Sequence, residues 1–245
     1  MFIGLGTVLN IATISLGSVL GIFLGSRFTL RTRETITTAL SFITLLAAAD
    51  SIKSLWDPSY FNELPKGWSI LVILLAMLIG TLLGVRLRIE ERLEVLGAKL
   101  KNRFDRNGNS PFIEGFVSSS LLFVIGPMAI LGSISDGMQT GISQLTLKSI
   151  LDGITSIAFA ASLGWGVALS ALPVGVYQFA WTGIGFGLGA VLPHYQVLAM
   201  TITGGLLLLG IAFRLMKIRN VPVADFLPAI FLAPLFAGLV HFLAN

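Results

Sequence analysis

The sequence predicts an all-α fold, a polytopic transmembrane helical bundle of about eight spans, and three observations carry that prediction. Of the 245 residues, 55% are hydrophobic and 11% are charged, against about 25% charged in an ordinary soluble domain. The mean hydropathy is +0.90. Apolar segments recur along the whole chain with charged residues mostly confined between them, and about 20 such residues cross a hydrocarbon core as a helix. Residues 1–245 therefore read as a single integral membrane domain with no room for a soluble one. Cysteine is absent, which excludes a disulfide framework, thiolate chemistry and a Cys-based metal site.

The first span is expected near 3–25. Its "MFIGLGTVLNIATISLGSVLGIFLGSRF" lacks a positive n-region and an A-x-A-like site, so it reads as a retained helix. Asn10, with Thr7, Thr13, Gly17, Gly21 and Gly25, forms a small and polar stripe along it, and Gly at four-residue spacing lets helix backbones approach closely. Spans near 35–55, which holds Asp50, and 68–85 follow. "RLRIEERLEVLGAKLKNRFDRNGNSP" then places Ile89, Leu93, Leu96, Leu100 and Phe104 at spacings of four and three. That predicts an amphipathic helix over 86–106 on the inner interface, ended by the turn chemistry of "RNGNSP". The remaining spans are expected near 112–133, 146–170, 173–192, 197–215 and 222–243, with a short turn at Ala171 to Pro173. The alternative is seven spans, with a re-entrant segment inside 146–192.

Orientation follows from basic residues, which favour cytoplasmic loops. Thirteen of the sixteen, from Arg27 to Arg33, Arg86 to Arg106 and Arg214 to Arg219, lie in one alternate set of connections; only Lys53, Lys66 and Lys148 lie in the other. Both termini are then outside. Topology accounts for the basic pI, so no nucleic-acid partner is implied.

The chain matches itself. Laying "IEGFVSSSLLFVIGPMAILG" over "LDGITSIAFAASLGWGVALS" aligns Glu114 with Asp152, Gly115 with Gly153, Ser118 with Ser156 and Gly126 with Gly164. A fainter match sets the first span on the sixth: Asn10 on Gln178, Gly17 on Gly185, Leu20 on Leu188 and Gly21 on Gly189. Spans 4 and 5 enter from opposite sides, so the relation is an inverted repeat, with halves at 1–133 and 146–245.

"GTVLNIATISLGSVLGIFLG", "FIEGFVSSSLLFVIGPMAILGSISDG", "KSILDGITSIAFAASLGWGV" and "LPVGVYQ" resemble the bacterial multi-pass membrane family catalogued as domain of unknown function 554, the YdfK/YqgA-like proteins. The resemblance covers essentially the whole chain and implies a bacterial inner-membrane location. It carries no catalytic or ligand residue over, because the family has no assigned activity.

Candidate site residues follow from depth. An ionisable group in a membrane segment costs on the order of 2.5–3.5 kcal/mol at a helix centre and is a functional hypothesis by default. Capping explains the acids at least in part: Glu114 follows "NSP", where Ser110 can cap and Pro111 suits a first turn, and Asp152 follows Ser149 in a near capping box. Capping does not explain Ser118, Ser119 and Ser156, which sit near one turn deeper than their acids. Gly126 and Pro127 interrupt span 4, and Gly164 loosens span 5 at the matching depth; freed carbonyls are tolerated only against protein or a water-lined cavity. Glu114, Ser118, Ser119, Asp152, Ser156, Asn10 and Gln178 are thus the candidate binding or translocation residues. Their oxygens suit a small cation or a proton relay, as a coupling ion, with no resident cofactor. His194 and His241 stand apart and make no metal site. Asp50 and Asp225 are expected at span ends.

The expected function is a small secondary transporter or channel for an ion or small solute, with a polar site between inverted helices 4 and 5. The alternative is a membrane scaffold or sensor subunit using helix 86–106. There is no H-E-x-x-H motif, cysteine nucleophile or usable Ser/His pair, so an enzyme is not expected. The expected partners are the lipid bilayer, the solute or ion, and a second copy in a homodimer.

Overall fold

Lipid tails are as apolar as leucine, so helices in a bilayer gain by packing small and polar faces together and turning large apolar side chains outward. The computed structural model, which describes residues 2–104, 111–188 and 192–244, follows that rule. In α1 (Leu5–Gly25) the buried residues are Gly6, Thr7, Asn10, Ile14, Gly17, Ser18, Gly21 and Gly25, whereas Leu16, Leu20 and Phe23 are 65%, 56% and 68% exposed. After α1 come α2 (Leu30–Lys53), α3 (Pro58–Phe61), α4 (Trp68–Leu87), α5 (Ile89–Phe104), α6 (Phe112–Val124) and α7 (Pro127–Gly137). Then follow α8 (Ser143–Leu163), α9 (Gly166–Leu169), α10 (Ala171–Leu188), α11 (His194–Leu215) and α12 (Leu227–Ala244). Among the described residues all regular structure is helical.

The expected count of eight spans is corrected. Among the described residues, six helical segments are long and apolar enough to cross a membrane: Leu5–Gly25, Leu30–Trp56, Trp68–Leu87, Gly166–Gly187, His194–Leu215 and Val223–Ala244. The pair α6 and α7, bent by 61°, makes a seventh if taken as one broken span. The missing one is α8, which has the length but carries Lys148, Asp152 and a run of serines and threonines. The boundary between the fifth and sixth expected spans also moves. No turn forms at Ala171 to Pro173; the chain breaks at Gly164, whose φ of 80° and ψ of −154° suit glycine alone. Pro173 lies in the first turn of α10, where its missing N–H costs nothing.

The chain forms two compact units, residues 1–40 with 93–191 and residues 41–92 with 192–245. These are cut differently from the expected halves 1–133 and 146–245, since residues 133 and 146 fall in one unit. In the first unit α1 lies on α8. A β-carbon on Gly17, Gly21 or Gly25 would overlap the carbonyl oxygen of Gly153, Ile157 or Ala161 respectively. The equal four-residue step on both helices makes them parallel. Gly137 packs on Thr182 and Gly185 on Ile134, so α7 and α10 run antiparallel. Gly115 meets Leu163 and Gly166 meets Phe112, so α6 begins where α8 ends. Ile14, Phe123, Val124, Ala171 and Val174 close the apolar core of this unit.

In the second unit Tyr60, Val72, Ala76, Leu198, Ile202, Ala233 and Ala237 form the core. Burial pushes the Tyr60 phenol up, and its hydroxyl donates to the Ser69 carbonyl at 2.9 Å. Gly80 and Gly84 of α4 press on Ala229 and Asp225. Glu90 and Arg214, each 8% exposed, form an ion pair. Glu90 Oε2 also accepts from the Ala224 N–H at 2.8 Å, and Asp225 Oδ1 accepts from the Glu90 N–H at 3.0 Å. Asp225 is therefore a cap for α5, while Asp50 is exposed. The helix expected over 86–106 is α5, separated from α4 by Arg88 at φ 51°, with acids in its first turn and bases in its last as the dipole favours. Arg106, Ser110, the "RNGNSP" turn and Gly189 lie outside the described residues, as does the side chain of Leu188.

Gly21→Val forces α1 off the Ile157 backbone and is expected to destabilise the protein by about 2 kcal/mol. Gly183→Ala, whose β-carbon meets nothing within 4 Å, is expected to be neutral or mildly stabilising through helix propensity. Unfolding midpoints of the purified protein in detergent measure both.

Candidate binding or translocation site

A helix that must bury a charge needs a partner one turn away or across an interface. α8 has both. It starts at Ser143, nine residues before Asp152, so Asp152 is no cap, and Ser149 spends its hydroxyl on the Leu145 carbonyl at 2.6 Å. Lys148, one turn earlier, puts its Nζ 2.6 Å from Asp152 Oδ2. The parallel approach of α1 brings Asn10 alongside, and its Nδ2 donates to the same Asp152 oxygen at 3.0 Å and to Gln178 Oε1 of α10 at 3.2 Å. Four polar side chains from three helices thus meet in one cluster. Three of them, Asn10, Asp152 and Gln178, are expected from the sequence; Lys148, expected in an outer connection, is the fourth. The i, i+4 spacing of Lys148 and Asp152 was the available signal.

The cluster is paired but not saturated. Asn10 and Gln178 are completely buried, yet Asn10 Oδ1 and Gln178 Nε2 have no hydrogen-bond partner among the described residues. Each such atom costs about 1–3 kcal/mol if nothing occupies it. The ion pair is not sealed, with the Lys148 and Asp152 side chains 9% and 10% exposed. Ser156, one turn beyond Asp152, is fully buried with its Oγ unpartnered.

On α6, Ser118 and Ser119 are likewise fully buried with unpartnered hydroxyls, whereas Ser120 donates to the Phe116 carbonyl at 2.6 Å. Glu114 does not join the cluster. It sits partly buried in the first turn of α6, and Gly115 beside it packs on Leu163, eleven residues past Asp152 on α8, about 16 Å along the helix. The dipole of α6 favours a carboxylate there. Gly126 and Pro127 do break the helix: the chain is extended at Ile125 and passes through Gly126 at φ 144° and ψ 147°, a positive φ that favours glycine. Pro127 has no N–H to give, so the last carbonyls of α6 lose the donors a continuous helix would supply.

One further acid was not singled out from the sequence. Asp136, at the end of α7, is 3% exposed and accepts from the N–H groups of Gly4 at 3.2 Å and Gly6 at 2.9 Å. "SISDG" carried no spacing that tied it to α1; only the packing of α7 against α1 does.

The family model described as "Protein of unknown function (DUF554)" matches residues 5–238. The chain is 32% identical over 244 residues to the uncharacterized protein YqgA of Escherichia coli (strain K12), covering 96% of this chain and 97% of YqgA. It is 26% identical over 240 residues to the uncharacterized membrane protein YdfK of Bacillus subtilis (strain 168), covering 96% of each. No solved structure matches it.

Removing one partner of a buried ion pair strands the other. Lys148→Met is expected to destabilise by about 3 kcal/mol, and the double variant Lys148→Met with Asp152→Leu to recover most of that loss. A double-mutant cycle on denaturant midpoints in detergent reads the coupling.

Proposed function

We propose that this chain, which belongs to the DUF554 family, is a small secondary transporter or channel that moves an ion or small polar solute through the centre of its first unit. The observation that carries this reading is the buried cluster of Asn10, Lys148, Asp152 and Gln178, with unfilled hydrogen-bonding atoms on Asn10 and Gln178. A membrane protein that needed only packing would fill this space with small apolar residues. Ionisable groups turned into the interior of a membrane protein mark ion and proton pathways. The interrupted helices α6–α7 and α8–α9 belong to the same reading, because irregular backbone at membrane depth lines cavities or protein. The site is drawn among α1, α8 and α10, and Glu114 has no part in it.

The location in this reading is the bacterial inner membrane, crossed many times, with both termini outside. The basic connections support that side assignment, and the antiparallel run of α4 with α12 is the sense it requires. An inverted repeat belongs to the same reading: α6 and α8 run oppositely, and Asn10 and Gln178, matched in the sequence, are hydrogen-bonded to each other. No nucleic acid and no enzymatic step enter it. Assembly as a homodimer through remaining small-residue faces is compatible with it.

In vesicles reconstituted with the purified protein, an imposed sodium or potassium gradient is expected to drive ion movement or a pH-dye response that empty vesicles lack. Asp152→Asn should reduce that rate at least about tenfold, the equivalent of 1.4 kcal/mol on the barrier, while Glu114→Gln leaves it within about twofold. Equal activity in wild type and Asp152→Asn, or loss in Glu114→Gln alone, would sink the assignment.

A further inference from the structure

We propose that the cavity beside the start of α1 is the mouth of the polar cluster, and that it admits small cations past Asp136 along a column of buried polar groups. This rests on the translocation reading and adds to it a route and a sign of charge. The cavity, of 270 Å³, is lined by Phe2, Asp136, Gln139, Gly141 and Ile142. Two backbone amides, those of Gly4 and Gly6, hold the Asp136 carboxylate, which fixes it where the cavity meets α1.

The next polar step is adjacent. Gly137, which follows Asp136, packs on the Thr182 carbonyl, and Thr182 Oγ1 lies 3.4 Å from Thr7 Oγ1 across the α1–α10 interface. Thr182 also donates to the Gln178 carbonyl at 3.0 Å, one turn back along α10, and Asn10 is three residues beyond Thr7. From Gly6 to Asn10 is one turn of α1, about 6 Å. Asp136, the threonine pair, the two amides and Asp152 therefore follow one another along α1 without an intervening apolar layer on that helix. The cluster end of the column supplies the second, independent sign of a ligand: Asn10 Oδ1 and Gln178 Nε2, both completely buried, lack partners.

The chemistry selects cations. The rim group is a carboxylate whose partners are neutral amides, so its charge still attracts cations and repels anions at the mouth. Hydroxyl, amide and carboxylate oxygens along the column are hard ligands that replace a small cation's water. At the inner end Lys148 already neutralises Asp152, so an arriving cation competes with the Lys148 ammonium for the same oxygen. An anion would meet two carboxylates and one ammonium.

The chain has no cysteine, so a single introduced thiol is the only one present. Thr7→Cys, halfway along the column, and Ile142→Cys, at the mouth, are each exposed in full-length protein in sealed vesicles to silver ion. The silver is added on the side where α1 begins, and the thiols left after denaturation are counted with maleimide. Silver ion is expected to consume both thiols. Asp136→Asn, which keeps the size and one acceptor oxygen for the Gly4 or Gly6 amide but removes the charge, should slow silver at Thr7→Cys about tenfold and leave unchanged the rate of the small neutral reagent methyl methanethiosulfonate. A Thr7→Cys thiol that resists silver while Ile142→Cys reacts overturns the route. Equal slowing of silver and the neutral reagent overturns the electrostatic role, since it reports narrowed access rather than a lost charge. Cation flux that persists although Thr7→Cys is unreactive overturns the route and spares the translocation reading; reaction at Thr7→Cys in a protein without flux does the reverse.

Discussion

Gly17, Gly21 and Gly25 let α1 descend onto the Gly153, Ile157 and Ala161 backbone until no side chain separates the two helices. The polar chemistry of the first unit depends on that closeness. Asn10 reaches Asp152 from a neighbouring helix through a side chain of only two carbons, and does so because the axes are held together about two to four turns further along. The same approach leaves Ser156 and Ser18 completely buried. In a bilayer the hydrophobic effect gives helices little reason to associate, so removing the β-carbons at four-residue steps is what makes this interface favourable at all.

Buried charge is handled differently in the two units. Glu90 is satisfied from several directions, by Arg214 and the Ala224 N–H, while its own N–H is capped by Asp225. A carboxylate so fully bonded ties α5, α11 and the turn before α12 and has little capacity left for a ligand. Asp152 has Lys148 and Asn10 on one oxygen, and its neighbours keep unspent donors and acceptors. The contrast separates a structural ion pair from one poised for exchange: the first is closed by backbone amides, the second by side chains that can turn away.

Much of this was legible in the residues. The small and polar stripe of α1 does face inward, and the acid-then-hydroxyl pattern of α8 does lie on its buried face, because in a bilayer side-chain size and polarity dictate facing. The Gly126-Pro127 break is visible as well, since proline removes a donor wherever it stands inside a helix. What misled was local analogy. The spacing from Ser149 gives Asp152 the look of a cap, but α8 starts at Ser143, and likeness to Glu114 suggests a shared site that the packing does not form. The two acids occupy equivalent places in matched sequences yet lie far apart, because α6 begins where α8 ends.

Composition and periodicity by themselves determined an all-helical membrane protein, the approximate place of most spans, and the polar residues that must be turned from lipid; each follows from the cost of polar groups in hydrocarbon, which every residue meets alone. Only the tertiary structure decided which polar residues meet. The pairing of Asn10 with Gln178, the reach of Asn10 to Asp152, and the seating of Asp136 on the start of α1 depend on the direction, offset and bend of helices distant in the chain. Packing sets those quantities, and a linear pattern does not encode them.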